Sequence, residues 1–78
     1  MTSKQTLLLK IVCTSPRGWA GVEDIAREMQ TNNEAVGRMI YSLSTKGFVS
    51  RRRVDASWEI WATEEGRAAY VAGTMAEN

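Results

Sequence analysis

The chain has 78 residues, a net charge of +1, one cysteine and no histidine. That length suits a single domain, expected to span residues 1–78; one cysteine cannot close a disulfide within the chain, and a zinc site usually needs four Cys/His ligands. The apolar run Leu7–Cys13 is broken by Lys10 and no small-residue cleavage site follows, so no signal peptide is read, and nothing nears the roughly 18 apolar residues of a membrane span; a soluble cytoplasmic protein with no membrane partner is expected.

A first helix is predicted from Ser3 to about Thr14. Thr2 and Gln5 have the S/T-x-x-E/Q spacing of a capping box. Leu7, Leu8, Ile11 and Val12 recur as one apolar stripe expected to be buried. Pro16 disfavours helix at Ser15, and Gly18 permits a turn. Trp19-Ala20-Gly21 reads as a brief strand or extended link. A second helix is predicted over about Val22–Gln30, with Val22, Ile25, Ala26 and Met29 at amphipathic spacing and Glu23 and Asp24 at its positive dipole end. Thr31-Asn32-Asn33 interrupts the pattern. A third helix follows over about Asn33–Thr45. Asn32 is its expected N-cap, with Thr31 a rival because Glu34 stands three residues later. Its buried stripe is Val36, Met39, Ile40 and Leu43, and Lys46-Gly47 supplies a cation and a left-handed C-terminal glycine. Phe48–Val54 and Ser57–Ala62 are rich in β-branched and aromatic residues and partly alternate, predicting a hairpin turning at Asp55-Ala56. Thr63 is positioned to cap a short fourth helix over about 63–72 that buries Ala68 and Ala69 and, further along, Val71; Gly73–Asn78 is expected to fray.

The predicted order is α-β-α-α-β-β-α: mainly α with a small β-hairpin, an α+β chain. Over about residues 4–72 this order resembles a winged helix-turn-helix. Val22, Ala26 and Met29 occupy the buried positions of the first motif helix, and Val36 and Met39 those of the second. Leu43-Ser44-Thr45-Lys46-Gly47-Phe48-Val49 is similar to the L-x-x-x-G-hydrophobic-hydrophobic junction between recognition helix and wing. Trp61-Ala62-Thr63-Glu64-Glu65-Gly66 is similar to the W/Y-x-L-T-x-x-G segment after the wing in MarR-like bacterial regulators. Gln30 stands where the motif's turn usually carries glycine. The resemblance implies a helix-turn-helix at about 22–46, a wing at about 48–62, and double-stranded DNA as partner.

Charge is segregated along the chain. Residues 37–54 hold Arg38, Lys46, Arg51, Arg52 and Arg53 with no acid, whereas 22–36 hold Glu23, Asp24, Glu28 and Glu34 against Arg27 alone. With the third helix in a major groove, its outward positions are expected to be Asn33, Glu34, Gly37, Arg38, Tyr41 and Ser42. Asn33 can pair with adenine or donate to phosphate, and Arg38 can reach guanine or phosphate. Tyr41 can offer its hydroxyl to phosphate. Gly37 is costly inside a helix, by about 1 kcal/mol; close approach to DNA and tight packing against another helix both account for it. Asn32 and Lys46 at the helix ends complete that candidate surface. In the wing, Arg51 and Arg53 fall on one strand face and Arg52 on the other. They can grip phosphates or enter a minor groove, or serve as a charged, soluble hairpin edge, with Glu59 a possible pair for one of them. Trp19, Trp58 and Trp61 read first as packing. Trp58 shares a strand face with Ile60 and Trp61 does not, so one of Trp58 and Trp61 should be exposed, for base stacking or a dimer contact.

The expected function is a small sequence-specific DNA-binding transcription regulator. No sensor domain fits the remaining length, which suggests the minimal regulators of phages, plasmids and other mobile elements. A homodimer is expected, because one helix reads few base pairs, with surfaces on the first helix or on Val71–Met75. Two alternatives stand beside it: a protein-binding winged helix with a protein partner, and a DNA-binding replication or recombination accessory factor. No enzyme, cofactor or metal is expected. Glu64-Glu65 is explained by a helix start, Gly18 and Gly21 lack the spacing of a phosphate loop, and Cys13 reads as a small buried hydrophobe rather than a reactive thiol.

Overall fold

The computed structural model describes residues 1–76. Its elements are α1 (Ser3–Cys13), β1 (Ala20–Gly21), α2 (Val22–Met29), α3 (Asn33–Thr45), β2 (Val49–Val54), β3 (Ser57–Ala62) and α4 (Glu64–Ala76). The order is the expected one. No helix among the described residues is long and apolar enough to cross a membrane.

The local signals act through identifiable hydrogen bonds. The Gln5 N–H donates to Thr2 Oγ1 and the Thr2 N–H donates to Gln5 Oε1, each at 3.1 Å, which closes the capping box of α1. Asn32, not Thr31, caps α3: its Oδ1 accepts the Ala35 N–H at 2.8 Å. Gly47 takes φ +79° after α3, and the Phe48 N–H reaches back to the Leu43 carbonyl at 2.9 Å. Gln30 ends α2 in the left-handed region, φ 56° and ψ 46°, while the Thr31 N–H bonds the Ala26 carbonyl at 2.9 Å. The position that usually carries glycine therefore does need positive φ, and here a side chain bears that cost.

The three strands form an antiparallel sheet in the order β1-β3-β2. Arg51 lies opposite Ile60, Arg52 opposite Glu59 and Arg53 opposite Trp58, and Asp55 turns the hairpin at φ 56°. Ala20 of β1 pairs with Ile60. The first three helices and all three strands contribute to one buried cluster, in which Leu8, Leu9, Val12, Ile25, Val36, Ile40, Leu43, Val49 and Ile60 are enclosed together, and α4 packs against it through the half-buried Tyr70. No polar or charged residue is buried among the described residues.

Two packing expectations and one helix boundary are corrected. In α1 the enclosed residues are Leu8, Leu9 and Val12, Ile11 is half-buried, and Leu7 is 40% exposed. Three consecutive leucines permit either rotation of the helix, and the elements that surround α1 (α4, β3, α2 and α3) select the one using Leu9. In α4 the inward residues are Gly66 and Tyr70 with Ala69 half-buried; Ala68 and Val71 are exposed. A β-carbon at Gly66 would overlap the Phe48 carbonyl. That close approach sets the rotation of α4 and brings Tyr70, one turn on, to the core. Thr63 anchors the same junction: its hydroxyl donates to the Gly47 carbonyl at 2.6 Å and accepts the Gly66 N–H at 3.0 Å. Finally, α4 continues to Ala76 instead of ending near residue 72. Gly73 has no positive φ and so does not stop it. Residues 77–78 of the expected frayed tail lie outside the described residues.

Candidate nucleic-acid interface

The N-terminal half of α3 and the inner face of the β2–β3 hairpin border an open groove of about 520 Å³. Asn33, Gly37 and Ile40 form one wall; Arg51, Trp58 and Ile60 form the other; Trp19 and the start of α2, including Glu23 and Asp24, close one end. The two walls come from the segments that the sequence singles out for DNA contact.

Along α3, Asn33, Glu34, Gly37, Arg38 and Tyr41 are exposed, as the helical period predicts. A β-carbon built on Gly37 meets nothing within 4 Å, so tight helix packing does not explain this glycine. Arg38 is held by Glu34 one turn earlier, N to O 2.6 Å; both side chains are largely exposed, so this pair exchanges readily for another partner. Asn32 is exposed at the same end, its Oδ1 engaged in the cap. Lys46 is exposed at the C-terminal end, about 20 Å from Asn33 by helical rise. Ser42 departs from the expected outward placement. It is half-buried, and its hydroxyl accepts a 3.1 Å hydrogen bond from Gln5 Nε2 of α1. Its position borders the apolar stripe, and the partner comes from another helix.

In the wing the alternation holds. Arg52 turns to the far face and pairs with Glu59 at 2.7 Å. Arg51 and Arg53 share the groove-side face with Trp58, whose ring centre lies 5.4 and 5.8 Å from their guanidinium carbons. Trp58 is 38% exposed, whereas Trp61 packs against the core. Arg53 Nε also donates to the Asp55 carbonyl at 3.3 Å. Among the described residues, no ion pair joins Arg51 or Arg53 to a carboxylate. Asp24, at the end of the groove, is shared by Arg17 at 3.3 Å and Arg27 at 3.4 Å, which offsets its charge. Arg17 also covers Trp19, 4.1 Å from the ring centre.

The sequence leaves open which of Trp58 and Trp61 is exposed, and the structure exposes Trp58. Sequence shows its alternation with Ile60; its station opposite Arg53 follows only once the two-residue turn fixes the cross-strand register. Elsewhere, Cys13 is half-buried, and burial raises its thiol pKa against a smaller opposing effect of Arg67. It stays protonated at neutral pH, unlike a reactive cysteine. No group of three or more His, Cys, Asp or Glu side chains among the described residues could hold a metal ion.

Four helices, the three-stranded sheet and the groove between α3 and the hairpin define a winged helix-turn-helix. It is the winged-helix fold found in MarR-family transcription regulators. A MarR-family transcriptional regulator from Rhodococcus sp. RHA1 superposes with a TM-score of 0.90 at 20% identity, over 96% of this chain and 54% of that one. The YusO protein of Bacillus subtilis gives 0.86 at 24% identity, over 97% and 57%. MepR, a transcription regulator of the Staphylococcus aureus multidrug efflux pump MepA, gives 0.86 at 25% identity, over 96% and 56%; MepR in complex with DNA gives 0.85. The chain thus spans little more than half the length of these structures. The Rhodococcus protein and MepR are transcription regulators, not enzymes. No family model and no curated protein matches the sequence.

Proposed function

We propose that this winged helix binds duplex DNA as part of a transcription regulator, with α3 in the major groove and the hairpin on the adjacent backbone or minor groove. The observation that carries the reading is Gly37. A glycine inside an exposed helix costs about 1 kcal/mol relative to alanine, and nothing within the chain uses the space it leaves. It stands on the wall of a groove opposite Arg51. A bare stretch of helix backbone facing Arg51, which is joined to no carboxylate among the described residues, suits a polyanion that comes close. That MepR is seen with DNA in the same fold supports the reading.

In this reading Asn33 and Arg38 face base edges, with Arg38 exchanging Glu34 for DNA; Glu34, Tyr41 and Asn32 border the contact, and Arg51, Arg53 and Lys46 meet phosphates. Arg52 joins the contact only by exchanging Glu59 for DNA, since Glu59 holds and neutralises its guanidinium. Ser42 contributes by fixing α3 against α1. A second copy of the chain supplies a second half-site, because one recognition helix reads only a few base pairs.

One observation favours a protein partner instead: Glu23 and Asp24 line the same groove as Arg51, so its charge is mixed. A fluorescence-anisotropy titration with random-sequence duplex at several salt concentrations separates the two. Binding should weaken steeply with salt, and changing Arg51, Arg52 and Arg53 together to alanine should remove about two units of log–log slope, since each phosphate contact contributes about 0.9. Absence of binding at low salt, or an unchanged slope, would favour the protein-binding module.

A further inference from the structure

We infer that Trp58 is a positioning residue of the wing, holding Arg51 and Arg53 as one preorganised cationic unit at the mouth of the groove. This rests on the DNA reading above and adds to it the residue on which the wing's contact depends. Both guanidinium groups lie within 6 Å of the indole centre, the range in which a cation is attracted to the negative face of an aromatic ring. Their strand positions flank one another on the same face, Arg53 directly opposite Trp58 and Arg51 two residues back. Two like charges so placed repel each other, and the indole ring on the same face offsets that repulsion. Arg53 is held a second time by the Asp55 carbonyl. Arg52, the intervening residue, is committed to Glu59. The hairpin thus sorts three consecutive arginines into one neutralised pair and two unneutralised cations on an aromatic support.

Trp58 has little part in the core. It is 38% exposed, near the hairpin turn, and does not belong to the buried cluster, whereas Ile60 on the same face is fully enclosed. A large aromatic residue at an exposed site is therefore accounted for by the arginines it carries. Long arginine side chains lose rotamer freedom on binding, and a ring that limits this freedom beforehand lowers that cost.

The test is a double-mutant cycle on a short labelled random-sequence duplex at low salt, with thermal melts on each variant. Trp58→Leu should weaken binding about fivefold in the otherwise unaltered chain. In a chain already carrying Arg51→Ala and Arg53→Ala it should change affinity little, because the groups it positions are gone. Trp58→Phe, which keeps a ring, should recover most of the loss. An equal loss in both arginine backgrounds, or Phe as weak as Leu, overturns the inference, since Trp58 then acts by direct contact or by shaping the hairpin. A Trp58→Leu chain that does not fold also overturns it. Unaltered protein that binds DNA together with a Trp58→Leu variant that binds equally well overturns the Trp58 role alone and leaves the DNA reading standing. Unaltered protein that does not bind overturns both.

Discussion

Replacing Gly37 with alanine should move stability and DNA affinity in opposite directions. The new methyl group meets no protein atom within 4 Å and the backbone there is helical, without positive φ. Nothing opposes the usual helix preference, so the variant should be more stable by about 1 kcal/mol. For a domain of this size that raises the melting temperature by about 4–8 °C. On the outside, the methyl group occupies the surface assigned to DNA. Forcing one extra carbon into a close-packed contact typically costs about 1–3 kcal/mol, which weakens binding about 5- to 150-fold at 1.4 kcal/mol per decade. Thermal unfolding followed by circular dichroism and anisotropy on duplex DNA measure the two effects separately. A variant that is more stable and binds DNA as tightly as the parent would refute the assignment of Gly37 to DNA approach. A variant that is less stable would refute the claim that the space beside it is unused.

Gln30→Gly should stabilise the chain by about 1 kcal/mol in chemical denaturation, because the left-handed conformation there burdens every residue with a β-carbon; an unchanged midpoint would contradict the turn geometry. Gly66→Ala should destabilise by about 3 kcal/mol, since the methyl group would overlap the Phe48 carbonyl and push α4 away from the hairpin; a melting temperature close to the parent's would show that the junction yields. Cys13, its thiol pKa raised by burial, should react with iodoacetamide more slowly at neutral pH than a model thiol, with the half-maximal rate shifted to higher pH. The linked stability follows the same sign: the folded pKa is above the unfolded one, so the contribution is complete below the ordinary thiol value and is lost as pH rises through the raised one. A labelling curve matching the model thiol would place Cys13 in solvent.

What could be read in advance and what could not divides by the range of the interactions. The capping box at Thr2 and Gln5, the cap at Asn32, the left-handed glycine at 47 and the turn at Asp55-Ala56 depend on neighbours within a few residues, and all were legible. So was the separation of Arg52 from Arg51 and Arg53, which follows from strand alternation. The Glu34–Arg38 pair carries a visible signal too, the spacing of one helical turn, although the sequence reading places both on the outward face, assigns Arg38 to DNA and Glu34 to a rival cap, and does not pair them. The errors lie where distant segments decide. The rotation of α1 about its leucines depends on four other elements. The inward face of α4 depends on the approach of Gly66 to the Phe48 carbonyl, at the start of the hairpin and 18 residues earlier in the chain. Ser42 faces inward because Gln5, on another helix, reaches it.

Gln5 has a mechanical consequence beyond the cap it completes. Its amide oxygen holds the Thr2 N–H and its amide nitrogen holds the Ser42 hydroxyl, so one planar group is clamped at both ends. The first turn of α1 and the last turn of α3 are joined by a strut whose length is that of a single side chain. Unwinding or tilting that first turn draws the strut away from Ser42 and removes a lateral brace from the helix assigned to reading DNA. The N-terminal turn is therefore a lever on α3, acting from the opposite side to the groove.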